Sequence, residues 1–413
     1  MAFVAFSICL AAGIGTARRL AVKSECEAFG RIWTRAILSE YDRHLLADYG
    51  LMAYFGNEPD VIKRIDAYMG YSAAGKLNIR LGKAGSDLSG FELGDPDNFR
   101  KAMNKGFAGS AVGSVIHGAG RSRHEPYAAG RVIGNMVVLD TLPSAGSAGY
   151  VSNDSVVEKA KGAGSSDGVM SLIASSGTDV MFIWKYFGNA VTAPDVPESY
   201  FRYEWEYLIG GKPEDDVNLE SVRKRLFVIR NALDLAALYK DPEKVELIVS
   251  AAELITPGPL GAATQLILAE AWAALEAESD VKELFDGGRV PVLKTGTEWK
   301  TGLGSVLDSD SVRKKLDDGS RELLDENRES ISSLNGYSDA AEIITEGLDY
   351  DEHLMLMILT MSRSTRLLRI MDLVQINMKY RYYRDFNLME YYTGVRFSIN
   401  ADRRDYFFED CYK

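Results

Sequence analysis

The first 17 residues, Met1 to Ala17, carry no charged side chain, and the sequence beyond them keeps a helical rhythm. No other feature constrains the fold as much, because an apolar helix of this length must be covered by lipid, by other helices or by a core. Its bulky members are Phe3, Val4, Phe6, Ile8, Leu10 and Ile14, and its 17 positions sit at the lower edge of the roughly 17 to 25 that cross a bilayer core. The reading is a single-pass membrane helix over residues 1–17. A cleaved signal and a buried core element are the alternatives; the signal lacks a basic segment ahead of the apolar run, although Gly15 and Ala17 are small enough for a cleavage site. Arg18, Arg19 and Lys23 follow the run with nothing basic before it, which under the positive-inside rule taken literally keeps the C-terminal side in the cytoplasm.

Beyond the apolar run, Val22, Cys26, Phe29, Trp33, Ile37, Tyr41 and Leu45 recur at steps of three and four, with Lys23, Glu25, Glu27, Arg31 and Arg35 between them. That spacing predicts an amphipathic extension of the helix over residues 18–56. The stripe can cover a soluble domain, or it can pack against other subunits, in which case Phe29 and Trp33 join the apolar run as an assembly surface.

At 413 residues the chain has room for two or three domains, and 46% hydrophobic with 26% charged residues is ordinary globular composition. A net charge of −12 argues against a nucleic-acid partner, which needs a basic face to displace phosphate counterions. The one basic stretch, Arg363, Arg366, Arg369, Lys379, Arg381 and Arg384 around Asp372, reads as a solvated helix face. Cys9, Cys26 and Cys411 define no disulfide framework, though a Cys26–Cys411 bond is open to a chain outside the cytoplasm. His44, His117, His124 and His353 lack ligand spacing, so neither metal nor cofactor is expected.

The organisation expected is a first α+β segment over 57–143, a flexible Gly/Ser-rich linker over 144–198, and a helix-rich α+β domain over 199–413 ending in a strand. Val61, Ile65, Tyr68 and Met69 predict a helix, and Lys76 to Leu81 a strand. Gly-rich text at Gly106 to Arg123, Ser144 to Gly149 and Gly162 to Gly168 reads as loop. Tyr203, Trp205 and Tyr207 alternate with Glu204 and Glu206 like a strand with an aromatic face. Asn218 is placed to cap a helix running to Tyr239, Asp241-Pro242 opens a second, and Thr256 to Pro259 precedes a third. Val290 to Lys294 reads as a strand, Asp308 to Ser333 as an exposed helix, Leu354 to Gln375 as a second long helix with methionines as core filling, and Tyr391 to Ile399 as a half-buried strand.

One catalytic motif invites a test. Lys294-Thr-Gly follows strand-like residues, as in penicillin-binding proteins and serine β-lactamases, and Ser221 stands one helical turn before Lys224. The Ser-x-Asn element that this chemistry requires between them is missing: Ser333-Leu-Asn335 comes too late and Ser152-Asn153-Asp154 has the wrong spacing. The acidic pairs Asp215-Asp216, Asp317-Asp318 and Asp349 with Asp351 read as turns or caps. The expectation is a protein that is not an enzyme. A cell-envelope acyl-transfer enzyme using Lys294, or an adhesion module using the aromatics of 200–207, is the alternative.

Three passages carry a family likeness: Ser39 to Leu51 with its Tyr-Gly-Leu ending, Tyr203 to Gly211 through to Lys294, and Tyr350 to Leu354 with Leu368 to Asn377. In them the chain resembles the uncharacterised TadE/TadG-like bacterial proteins of Flp (Tad) pilus loci. The resemblance implies a pilin-like N-terminal helix followed by a mostly helical extracytoplasmic α+β domain with a small β-sheet. It also implies a structural or assembly role, with the lipid bilayer and other pilin-like or Tad pilus assembly proteins as partners. The chain departs from these proteins in opening at Met1-Ala2-Phe3, without their basic tail.

Overall fold

The computed structural model describes residues 2–73, 81–108, 141–145, 149–192, 199–334 and 346–412. The architecture is α+β, mostly helical with a small sheet, and the chain divides into two compact units: Met1–Val112 with Met371–Lys413, and Gly113–Ile370.

The first unit opens with α1, Ala2–Leu38, a continuous helix through the apolar run and most of the amphipathic stripe. The stripe does not continue unbroken to Leu45. Asp42 interrupts it and caps α2, Arg43–Tyr49, accepting the His44 and Leu45 N–H groups at 2.9 Å each. Gly50 closes α2 at φ 67°, a left-handed value that favours glycine. Then come β1 (Tyr54–Phe55), α3 (Glu58–Ala73), β2 (Leu81–Asp87) and α4 (Pro96–Ala108). Of the strand expected over Lys76 to Leu81, only Leu81 is among the described residues, and the glycine-rich text beyond Ala108 lies outside them as far as residue 140.

In the second unit, the stretch expected to be a linker contains α5 (Asn153–Ala163), α6 (Ser166–Ser175) and α7 (Thr178–Tyr186). The small residues that read as loop are helix ends: Ser152 and Ser165 accept N-terminal amides, and Gly164 closes α5 at φ 70°. The aromatic segment at 203–207 is not a strand but helix α8, Glu204–Gly210. The strand reading required Glu204 and Glu206 to face solvent. Both are buried, accepting the N–H groups of Gly188 at 2.8 Å and Ala190 at 3.0 Å.

A layer of three long helices follows, α9 (Asp215–Lys240), α10 (Pro242–Ile255) and α11 (Gly261–Phe285). Asp241 and Pro242 open α10 as expected. Asn218 lies inside the first turn of α9 and ties down the preceding loop, bonding Lys212 N at 2.9 Å and O at 2.8 Å. Val290 to Lys294 forms no strand; Val290 makes one antiparallel bridge, to Leu348, and Pro291 has no N–H to extend it. The Asp308 to Ser333 stretch is not one exposed helix. It comprises α13 (Asp310–Lys315), α14 (Asp318–Glu326) and α15 (Arg328–Ser333), preceded by α12 (Leu303–Leu307), with Leu324 and Ile331 buried in the core that Trp272 and Ile255 also enter. The long helix expected over Leu354 to Gln375 is likewise broken, into α16 (Tyr350–Thr360) and α17 (Arg363–Arg381), where Ser362 accepts the Thr365 N–H at 3.2 Å. Met355, Met357, Met361, Met371 and Met378 are all buried.

From the end of α17 the chain completes the first unit with β3 (Tyr391–Tyr392), β4 (Gly394–Ala401) and β5 (Arg404–Cys411). β3 pairs with β1, and a separate antiparallel sheet runs β2-β4-β5 with Phe397 opposite Phe408. Period-2 alternation places Val395, Phe397, Ile399 and Ala401 on one face of β4, as the sequence predicts. They form one core with Val22, Cys26, Trp33 and Ile37 of α1 and Val61, Ile65 and Met69 of α3. Cys26 and Cys411 are separate free thiols, so the bond considered from sequence is not formed.

Candidate functional site

Along α1 the environment changes at Val22, the first buried side chain among the described residues. Before it the helix is an arm whose large hydrophobics are exposed: Phe3 81%, Phe6 66%, Ile8 64% and Ile14 63%, with Val4 and Leu10 beside them. At 100° per residue these six side chains spread over more than half of the helix circumference, so the arm has no polar face comparable to its apolar one. Among the described residues no helix is long and apolar enough to cross a membrane. Arg18, just beyond the apolar run, reaches Asp402 at 3.3 Å. Phe29 and Trp33 do not belong to this exposed surface. Phe29 packs against the core of the first unit and Trp33, 4% exposed, lies within it, because the stripe they share turns toward the sheet.

The opposite arrangement occurs in the second unit. Lys294 is buried, its ammonium held by Glu276 and, at 2.6 Å, by Asp280. Asp280 also accepts the Nε of Arg230 at 3.0 Å; Arg230 donates Nη2 to Asp234 at 2.9 Å and Nη1 to the Pro291 carbonyl at 2.9 Å. Glu276 additionally accepts the Lys300 N–H at 3.0 Å and the Thr301 hydroxyl at 2.6 Å. With the Lys300 ammonium 3.6 Å from Asp280, three carboxylates and the cations Arg230, Lys294 and Lys300 knot α9, α11 and the 290–301 segment together. Burial pushes the Asp234 carboxyl up to about 7, whereas Asp280, despite its burial, is held below the usual carboxylate range by Arg230 and Lys294.

A second buried group lies on α8 and α16. Glu206 accepts the Tyr350 hydroxyl at 2.6 Å, and burial raises its carboxyl to about 7. Asp351 accepts from Asn189 at 2.7 Å and Thr192 at 3.0 Å. His353 places Nδ1 2.7 Å from the Asp349 carbonyl; burial first, then the Arg230 charge, lower its pKa to about 4. Perturbed groups of this kind often mark active sites, but that chemistry also needs access, and Glu206, Lys294 and Asp280 have none. Of the aromatics on which the adhesion alternative rested, Phe201, Trp205 and Tyr207 are equally closed to solvent, and Tyr200 and Tyr203 are half-buried. Among the described residues no cluster of His, Cys, Asp or Glu is arranged to hold a metal ion.

The model of a family of unknown function, DUF5702, matches residues 131–403, more than half of the chain. The chain belongs to DUF5702. No curated protein and no solved structure matches it. In this DUF5702 protein both buried polar clusters fall inside the matched span and the arm falls outside it.

Sequence reading singled out Lys294 through its Thr-Gly neighbours and passed over Arg230, Asp234, Glu276 and Asp280, the groups that surround it. The signal was present: Arg230 and Asp234 lie on the same helix face as Leu226 and Leu233, and Glu276 and Asp280 among Ala269, Trp272, Ala273 and Ala277. Opposite charges four apart within an apolar stripe, as Arg230 and Asp234 are, mark a buried ionic pair, and like charges there, as Glu276 and Asp280 are, call for a cation from another segment. The basic residues of α17 are also not a solvated face throughout: Arg366 is buried against Asp179 at 2.7 Å, and Arg381 pairs with Asp48 at 2.9 Å. Asp317 and Asp349, read as caps, cap α14 and α16.

Proposed function

We propose that this DUF5702 protein is a membrane-anchored structural or assembly component without catalytic turnover, held by its N-terminal arm and presenting its two folded units from the bilayer. The observation that carries the reading is the helix over residues 2–17, uncharged and with its large hydrophobics exposed, on a unit whose own core is complete from Val22 onward. Leaving such an arm in water is unfavourable by about 25 cal/mol for each Å² of apolar surface. At 1.5 Å per residue the run is about 24 Å long, somewhat short of a hydrocarbon core of about 30 Å. A short run of this kind is accommodated by local thinning and by the basic residue Arg19 reaching the headgroups. The more specific form of the reading is a pilin-like component of a Flp/Tad-type pilus, with its C-terminal part extracytoplasmic and other pilin-like proteins as partners. It rests on the TadE/TadG-like passages quoted above.

The test is flotation of the full chain with phosphatidylcholine–phosphatidylglycerol vesicles, followed by an alkaline wash. The wild type should float and stay bound, and a Phe6→Glu/Leu10→Glu variant should remain in the load fraction with an unaltered denaturation curve. A wild type that does not float, or a double variant that floats equally, overturns the reading.

A further inference from the structure

Within the first unit, one face of α4 borders a cavity of about 330 Å³ that the anchoring role does not use. Leu46, Met52, Phe91 and Ala102 give it an apolar lining, and part of its wall is backbone packed on backbone. At that wall a Cβ on Gly106 would collide with the carbonyl oxygen of Gly50, so the wall keeps its shape only because residue 106 has no side chain. The volume lies at the small end of the roughly 300–1,000 Å³ typical of small-molecule sites.

Two exposed cations, Lys101 and Lys105, also line the cavity, one helical turn apart on α4. Like charges at that spacing repel. Among the described residues neither lysine pairs with a carboxylate; Lys105 donates to the Tyr412 carbonyl and lies 3.8 Å from the Cys411 sulfur, both uncharged partners. In a chain of net charge −12, two ammonium groups that border an apolar hollow without a carboxylate partner among the described residues form a local site of positive charge. An anion placed between them relieves their repulsion, and an apolar body attached to it fills the hollow and removes its lining from water.

We propose that this cavity binds a single-chain amphiphilic anion, its chain among Leu46, Met52, Phe91 and Ala102 and its carboxylate or phosphate head between Lys101 and Lys105. The small volume argues for one chain and not two.

Cys411, at the edge of the same cavity, supplies the readout. In the full chain carrying Cys9→Ser, which removes the exposed thiol of the arm, alkylation of Cys411 by a polar maleimide is timed with and without dodecanoate, dodecyl phosphate or dodecanol, each below its aggregation concentration. One or both anions should slow alkylation by about tenfold, the change that some 1.4 kcal/mol of occupancy produces, and dodecanol should not. The more protective anion names the head group. Protection, expressed as the ratio of rates with and without ligand, should vanish in Lys101→Glu/Lys105→Glu and in Ala102→Leu, which fills the hollow while leaving both lysines. It should persist in Phe6→Glu/Leu10→Glu, which separates this site from the arm. Absence of protection by either anion, equal protection by dodecanol, or protection that survives both cavity variants overturns the proposal.

Discussion

The N-terminal arm and the interior of the second unit depart from the usual distribution of polar and apolar groups in opposite directions. Residues 2–17 expose Phe3, Phe6, Ile8 and Ile14, while the second unit buries Arg230, Asp234, Glu276, Asp280 and Lys294. The interior compensates its own departure: each of these charges meets an opposite charge at hydrogen-bond distance, and peptide groups and a hydroxyl satisfy further oxygens. The arm has no such internal remedy among the described residues, where Phe3, Val4, Phe6, Ile8, Leu10 and Ile14 all stay exposed. A buried charge network therefore says what holds the chain together, and an uncovered apolar helix says what the chain lacks by itself.

The largest effect should come from breaking the compensation inside. Replacing Lys294 with Met leaves Glu276 and Asp280 without their shared cation, and the loss of one partner from a buried network costs about 3–5 kcal/mol. Urea denaturation should show a drop of that size; a drop below about 1 kcal/mol, the scale of an exposed pair, would mean that the cage is hydrated and the comparison wrong.

A pH series sharpens the same contrast. Glu206, raised to about 7 by burial, keeps a proton in the folded chain that the unfolded chain loses near pH 4.3. The folded state thus binds more protons between about pH 4.3 and 7, and this group's contribution to stability falls as pH rises through that window. His353, lowered to about 4, acts in the opposite sense, its contribution rising between about pH 4 and 6.5. Subtracting a Glu206→Gln profile from that of the wild type isolates the first effect. The variant should gain relative to the wild type toward pH 7, and parallel profiles would exclude a protonated Glu206 in the fold.

The smallest effect tests the arm against its own continuation. Trp33→Ala, in the buried half of α1, should cost about 3–5 kcal/mol as a large-to-small core change. Phe6→Ala, on the exposed half, should stay within about 0.5 kcal/mol in solution. Equal losses at the two positions would show that the arm folds onto the molecule.

Much of the framework was legible in the sequence because local rules governed it. The α10 start at Asp241-Pro242, the alternation of β4 and the helical stripe of α1 each follow from a cap, a period of two or a period near 3.6. Readings failed where tertiary contacts reassigned a residue. Ser152, Ser165 and Gly164 looked like linker and are helix ends, since a capping serine and a loop serine are indistinguishable without the helix that follows. Glu204 and Glu206 looked like the wet edge of a strand, and they face inward because two distant amides, of Gly188 and Ala190, come to meet them. The cavity beside α4 was invisible for a related reason: its lining comes from residues as far apart as Leu46 and Cys411.

The sequence by itself determined the uncharged run over residues 1–17 and the rhythm that makes it helical, because charge and spacing are local properties of the chain. Only the tertiary structure decided where that helix starts to be covered, and that Lys294 is the centre of an ion cage: burial and charge pairing depend on which distant segments meet, and neither is written in the spacing of neighbours.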